Sequence, residues 1–173
     1  MFIRVALNLV IICCSTILGN QIANGYIHRV RELRTFQMCI AKLETEIIYY
    51  STFLPEALEN VGKTTAGGIG QLLCDVASNL KNKKGVNIEA AWQLALDENK
   101  TNFKMTYEDY EVISRFCCQL GTADKTTQKQ LFELTQLQLY KQEKKAEEDR
   151  DRYEKMYRSL GFLAGVTIVI ILF

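Results

Sequence analysis

Residues 26–50, YIHRVRELRTFQMCIAKLETEIIYY, set apolar side chains at Tyr26, Val30, Leu33, Phe36, Ile40, Leu43, Ile47 and Tyr50. Steps of three and four residues gather these side chains into one stripe along an α-helix. An apolar stripe of that length has to be covered, so the segment predicts a long first helix that packs against further elements.

The same period returns downstream. Ile69, Leu72, Leu73, Val76, Ala77 and Leu80 make a second stripe, and Ile88, Ala91, Trp92, Ala95 and Leu96 a third, with Asn87 as its N-cap and Trp92 as a core anchor. Thr106 and Asp109 form a capping-box pattern, Asp standing for the usual Glu or Gln, ahead of a fourth stripe at Tyr110, Ile113, Phe116, Cys117 and Leu120. Gly121 is placed to close that helix in a left-handed C-cap, and Asp124 to accept from backbone amides near Thr127 and open the last helix. That helix carries Phe132, Leu139, Ala146, Tyr153 and Leu160 every seven residues, with Leu131, Leu134 and Leu137 thickening its first turns. Its middle, KQEKKAEEDRDR at 141–152, is nearly all charge. Pairs such as Lys144 with Glu148 and Glu148 with Arg152 span one turn, each contributing about 0.2–0.5 kcal/mol. No segment alternates with period two. The expected fold class is all-α, a helical bundle.

The two ends read differently. Residues 5–19 (VALNLVIICCSTILG) and 159–173 (SLGFLAGVTIVIILF) are uncharged and apolar. Each covers roughly 22 Å as a helix, short of the roughly 30 Å hydrocarbon core of a bilayer. Phe2, Ile3, Gln21, Ile22 and Ala23 can lengthen the first span if Arg4 snorkels, and Met156, Tyr157 and Arg158 can sit at the interface of the second. The expected organisation is therefore an N-terminal transmembrane helix at 1–23, a helical domain at 24–158 and a C-terminal transmembrane helix at 159–173. Arg29, Arg31, Arg34 and Lys42 follow the first span, and seven basic residues from Lys141 to Arg158 precede the second. By the positive-inside rule both flanks put the middle domain in the cytoplasm, with the lipid bilayer as an expected partner. An alternative takes residues 5–18 as a signal-peptide core with Ala23, Asn24 and Gly25 as the cleavage site, which makes an exported or tethered helical interaction protein. The arginines soon after that site oppose translocation.

One stretch invites a nucleotide reading. ALENVGKT at 57–64 fits a loose P-loop in which Ala57 replaces the first glycine, and Lys63 and Thr64 would meet phosphate and magnesium. A P-loop follows a buried strand, and none is visible. Pro55 instead suits the first turn of a short helix, Glu56 and Glu59 complement the positive end of its dipole, and Gly62 ends it. TTAGGIG at 64–70 is then a flexible corner.

Composition narrows the chemistry. A net charge of +1 over 173 residues offers no positive field for nucleic acid. The six cysteines, at 13, 14, 39, 74, 117 and 118, lack C-x-x-C spacing, and the sole histidine is His28, so no metal or other cofactor is expected. The cysteines read as reduced core residues. No serine or cysteine has a base at short range, and the carboxylates lie in salt-paired helical runs, so neither an enzyme nor a small-molecule substrate is expected.

Five motifs in order complete the picture: LETEIIYYSTFLPEAL at 43–58, AWQLAL at 91–96, LGTADKTTQ at 120–128, YRSLGFLAG at 157–165, and the apolar N-terminal helix. Together they resemble the stage III sporulation protein AB family over almost the whole chain. Phe53 stands where that family often has another proline, and Ala123 where a small polar residue precedes Asp124, which softens the local turn geometry. The resemblance implies a component of the mother cell membrane complex that joins the forespore's channel protein across the double membrane during engulfment. It also implies a cytosolic domain similar to that of the type II secretion inner-membrane platform protein. The implied partners are the stage III sporulation protein AA ATPase and the other stage III sporulation A complex proteins. The candidate partner-contact or structural residues are Leu54, Pro55, Glu56 and Leu58 at one helix corner, and Gly121, Asp124 and Gln128 at the other.

Overall fold

The predicted stripes fold as helices. A computed structural model describes residues 2–82, 87–99, 103–120 and 125–172. Helix α1 (Phe2–Glu44) runs into a π-helical turn (Thr45–Tyr49), followed by α2 (Leu54–Lys63), α3 (Gly68–Asn82), α4 (Ile88–Asn99), α5 (Tyr107–Gln119) and α6 (Lys125–Leu172). Among the described residues there is no strand, and the chain is all-α. Its contacts divide it into two units, one of Met1–Val30 with Lys144–Phe173 and the other of Arg31–Glu143.

The terminal unit pairs one end of α1 with the distal end of α6, through small residues. A Cβ placed on Gly161 would stand 2.9 Å from Gly19 Cα and 2.9 Å from the Ser15 carbonyl oxygen, so the two backbones touch. Ser15 and Gly19 on α1, and Gly161 and Gly165 on α6, are each four apart, the spacing that lets helices approach closely in an apolar medium. Ser15 Oγ donates across the seam to the Gly161 carbonyl at 2.6 Å. Nearer the charged flanks, the Tyr26 ring lies 5.6 Å from that of Tyr153 and 6.0 Å from that of Tyr157. One turn further, Arg29 is buried and donates to Asp149 at 3.0 Å. The large apolar side chains point outward: Leu9, Val10, Leu18, Phe162, Leu163 and Ile170 are all exposed. Among the described residues, α1 is the one helix long and apolar enough to cross a membrane.

The second unit has a conventional core. Leu33, Phe36, Cys39, Ile40 and Leu43 of α1 are buried, and consecutive helices pack α2 on α3, α3 on α4 and α4 on α5. At the centre, Phe36, Leu58, Val76, Trp92 and Phe116 surround a cavity of about 10 Å³, so packing leaves almost no void. Phe116 meets Phe132 of α6 edge to face at 5.3 Å. Trp92 is the largest fully buried side chain, and its indole N–H has no partner among the described residues.

The caps follow their sequence signals. Asn87 Oδ1 accepts from Ala90 N at 2.9 Å, and Thr106 and Asp109 exchange both capping-box bonds, the Asp109 carboxylate accepting from Thr106 N at 2.9 Å. Gly121 and Asp124 lie outside the described residues.

Four expectations are corrected. The α1 stripe ends at Leu43, because the chain leaves α geometry in the π turn and rotates Tyr50 into solvent. On α6, Leu134 and Leu137 are exposed, while Gln128, Phe132, Thr135, Leu139, Glu143 and Ala146 are buried. That face steps by four and three, and polar residues fill the places the apolar pattern skipped. Gly62 does not end α2, which runs on to Lys63. Gly62 packs inside it, where a Cβ would meet Gly70 O at 2.9 Å and Cys74 Sγ at 2.6 Å. Gly68, Ile69 and Gly70 accordingly belong to α3, and only Gly67, at φ 85°, takes a left-handed turn. Finally, Cys39 and Cys117 are core residues, but Cys13 and Cys14 are exposed on α1.

Candidate functional site

The corner between α1 and α2 is built from residues 43–64. The π turn closes with Tyr50 N donating to Thr45 O at 3.1 Å. Ser51 then adopts φ 54°, a left-handed conformation that non-glycine residues rarely take, and Thr52 folds back. Its backbone N–H donates to Glu46 O at 2.9 Å and its hydroxyl to Glu46 Oε2 at 2.8 Å. Phe53 is extended and passes the chain into α2, with Leu54 and Pro55 as the first two helical residues. Proline suits that place because its nitrogen has no intrahelical acceptor.

The sequence motif divides by exposure. Leu58 is buried in the core, Leu54 and Pro55 are half-buried, and Glu56 is exposed. Gln128, buried on α6, likewise has little surface to offer a partner. Sequence reasoning missed the aromatic residues of this corner. Tyr49, Tyr50 and Phe53 are 69, 71 and 82% exposed. The apolar spacing puts Tyr50 in the core stripe and gives Tyr49 and Phe53 no partner-contact role. A shallow groove of about 220 Å³ is lined by Lys42, Thr45, Glu46, Asn60, Val61 and Thr64.

Lysines border the corner at positions 42 and 63, with glutamates between them. From Leu43 to Gly62 the chain has Glu44, Glu46, Glu56 and Glu59 and no basic residue. Lys63 and Lys81 both hydrogen-bond the Glu59 carboxylate and pull its pKa down to about 2, and the same carboxylate pushes the Lys63 ammonium up. Residues 57–63 are helical and Lys63 is engaged with Glu59, so the P-loop-like string does not form a loop of amides around an anion. Lys42 reaches Thr64 Oγ1 at 3.3 Å, on the opposite side of the groove.

Other chemistry-bearing groups are scattered. Burial pushes the Cys117 thiol well up, and the Cys39 thiol up against the lowering effect of its Thr65 contact. Both therefore stay as thiols, poor nucleophiles. Among the described residues no three His, Cys, Asp or Glu side chains gather as a metal site.

Known proteins share this architecture. The family model described as stage III sporulation protein AB matches residues 4–173. The stage III sporulation protein AB of Bacillus subtilis (strain 168) is 30% identical over 162 residues, covering 94% of each chain. A solved structure of a stage III sporulation protein AB aligns with a TM-score of 0.66 at 26% identity, over 72% of this chain and 98% of its own. With the family pattern running almost end to end through an all-α chain, the conclusion is direct: the chain belongs to the stage III sporulation protein AB family.

Proposed function

We propose that the chain is a non-enzymatic membrane component of the channel complex between mother cell and forespore, and that it couples a cytosolic secretion-type ATPase to the membrane assembly. In this reading residues 1–23 and 159–173 are the two transmembrane helices, and residues 24–158 form a cytoplasmic domain in the mother cell. The observation that carries it is the terminal helix pair, whose backbones meet at Gly19 and Gly161 while leucine, isoleucine and phenylalanine side chains face outward. Water is a poor solvent for that surface and lipid a good one. The basic flanks Arg29, Arg31, Arg34 and Lys42 on α1, and Lys141 to Arg158 on α6, support the cytoplasmic placement. Family membership supports a role in spore development after engulfment, with the stage III sporulation protein AA ATPase as partner.

Deletion of the gene tests the role. Sporulating cells should arrest after engulfment and lose heat-resistant spores, with rescue by the intact gene. Normal spore counts would remove the proposal. Purified ATPase binding to the full chain in lipid nanodiscs tests the coupling directly.

A further inference from the structure

The corner between α1 and α2 combines three properties that point to a partner. Tyr49, Tyr50 and Phe53 put three aromatic side chains into solvent within five residues, although the same unit buries Phe36, Trp92, Phe116 and Phe132. The corner is also held in shape: Thr52 is tied twice to Glu46, and Ser51 is the one non-glycine residue at positive φ among the described residues. Side chains displayed on a fixed turn lose little freedom on binding, and tyrosine and phenylalanine are common anchors of protein interfaces. Lastly, Glu44, Glu46 and Glu56 flank the rings in sequence, whereas Glu59 is engaged by Lys63 and Lys81 and Lys42 is engaged with Thr64.

We propose that this corner is a docking knob, and that its partner is a protein surface with an apolar pocket ringed by lysine or arginine. The charge decides among possible occupants. An anionic lipid surface repels the three glutamates Glu44, Glu46 and Glu56. A symmetric contact between two copies would set the same glutamates against one another. A basic-rimmed protein pocket satisfies both the rings and the carboxylates. The inference deepens the adaptor reading and rests on it, with the ATPase as the partner to test.

The experiment measures purified ATPase binding to the full chain in phosphatidylcholine nanodiscs. Replacing Tyr49, Tyr50 and Phe53 together by Ser should weaken binding by about 30-fold or more, as expected when interface anchors are removed. Glu44→Lys with Glu46→Lys and Glu56→Lys should weaken it as well, and wild-type binding should fall as salt rises. Tyr107→Ser is the control. Tyr107 is equally exposed but opens α5, whose approach at Lys104 rests on Glu32, about three helical turns of α1 before Glu44. Wild-type affinity in both corner variants, with unchanged melting temperatures, overturns the docking site and leaves the adaptor role standing. If the wild type itself does not bind the ATPase, the adaptor reading fails, and a photo-crosslinking residue at position 53 in sporulating cells decides the corner alone. An adduct mapped to a lysine- or arginine-ringed site on another protein, and lost on the three charge reversals, supports it. An adduct to lipid, to a second copy or to nothing overturns it.

Discussion

The two units of this chain solve helix packing in opposite ways. In the terminal unit the closest contact is made of glycine and serine, with tyrosine rings and an Arg29–Asp149 pair nearer the charged flanks, and large apolar residues such as Leu18 and Phe162 face out. In the unit of Arg31–Glu143 a core of large apolar residues is buried around Trp92, and a few, such as Phe53 and Leu134, stay exposed. Burying apolar area drives association in water, but lipid tails are as apolar as leucine. Helices there gain from close backbone approach and a few polar bonds instead. The difference shows that hydropathy alone does not say which face of a helix meets its neighbour. The surrounding solvent decides.

Substitutions can break each solution separately. The largest effect is expected from Trp92→Ala, which opens a cavity among Phe36, Leu58 and Phe116 and should cost about 3–5 kcal/mol, read as a lowered denaturation midpoint of the full chain in detergent. The spacing of the terminal pair should be unaffected. Gly161→Leu should do the reverse. Its side chain would stand where Gly19 Cα and the Ser15 carbonyl lie, forcing the helices apart at a cost of about 1–3 kcal/mol. Spin labels at Leu18 and Phe162 should report a longer, broader distance distribution, while hydrogen exchange at the Trp92 core stays slow.

Arg29→Ala tests the polar contribution to the terminal unit. It leaves the Asp149 carboxylate, about one-third exposed, without the guanidinium 3.0 Å away, and should cost about 2 kcal/mol, below the range for fully buried pairs. A melting scan should show the loss, and Arg29→Lys should restore part of it. Glu59→Gln should have the smallest effect, and one confined to acid. The Glu59 pKa is depressed to about 2, so the stability it adds is present above the ordinary carboxylate value near ~4.3 and is lost as pH falls toward about 2. The substitution should therefore flatten the decline of melting temperature between those pH values, and high salt should mask the difference.

Much of the fold was legible in the sequence because it is written in local spacing. The stripes of α3, α4 and α5 and the caps at Asn87 and Thr106 stand where their residues predict, since both depend on neighbours three and four positions away. The failures are non-local. Gly62 reads as a helix end until Gly70 of α3 is seen against it. Tyr50 reads as core until the π turn changes the angle between successive residues. Leu134 and Leu137 read as core because Gln128, Thr135 and Glu143, which hold the buried face, are polar. The candidate site suffered from the same limits. Leu54, Pro55 and Glu56 do open a helix, as Pro55 predicts, but the exposed rings near them follow from a turn that no residue pattern announces.

The polar residues on the buried face of α6 have a further consequence. Glu143 accepts from Arg34 Nε at 2.6 Å and from Gln37 Nε2 at 2.8 Å, while Gln136 donates to the Gln37 carbonyl at 3.0 Å. Leucines slide past one another with little penalty, but a mostly buried carboxylate cannot. Moving α6 by one turn against α1 would take Glu143 away from both donors and leave a charge facing apolar neighbours. Arg34, Gln37, Gln136 and Glu143 therefore act as an index between two helices whose sequence repeats would otherwise permit several alignments, and they select one height.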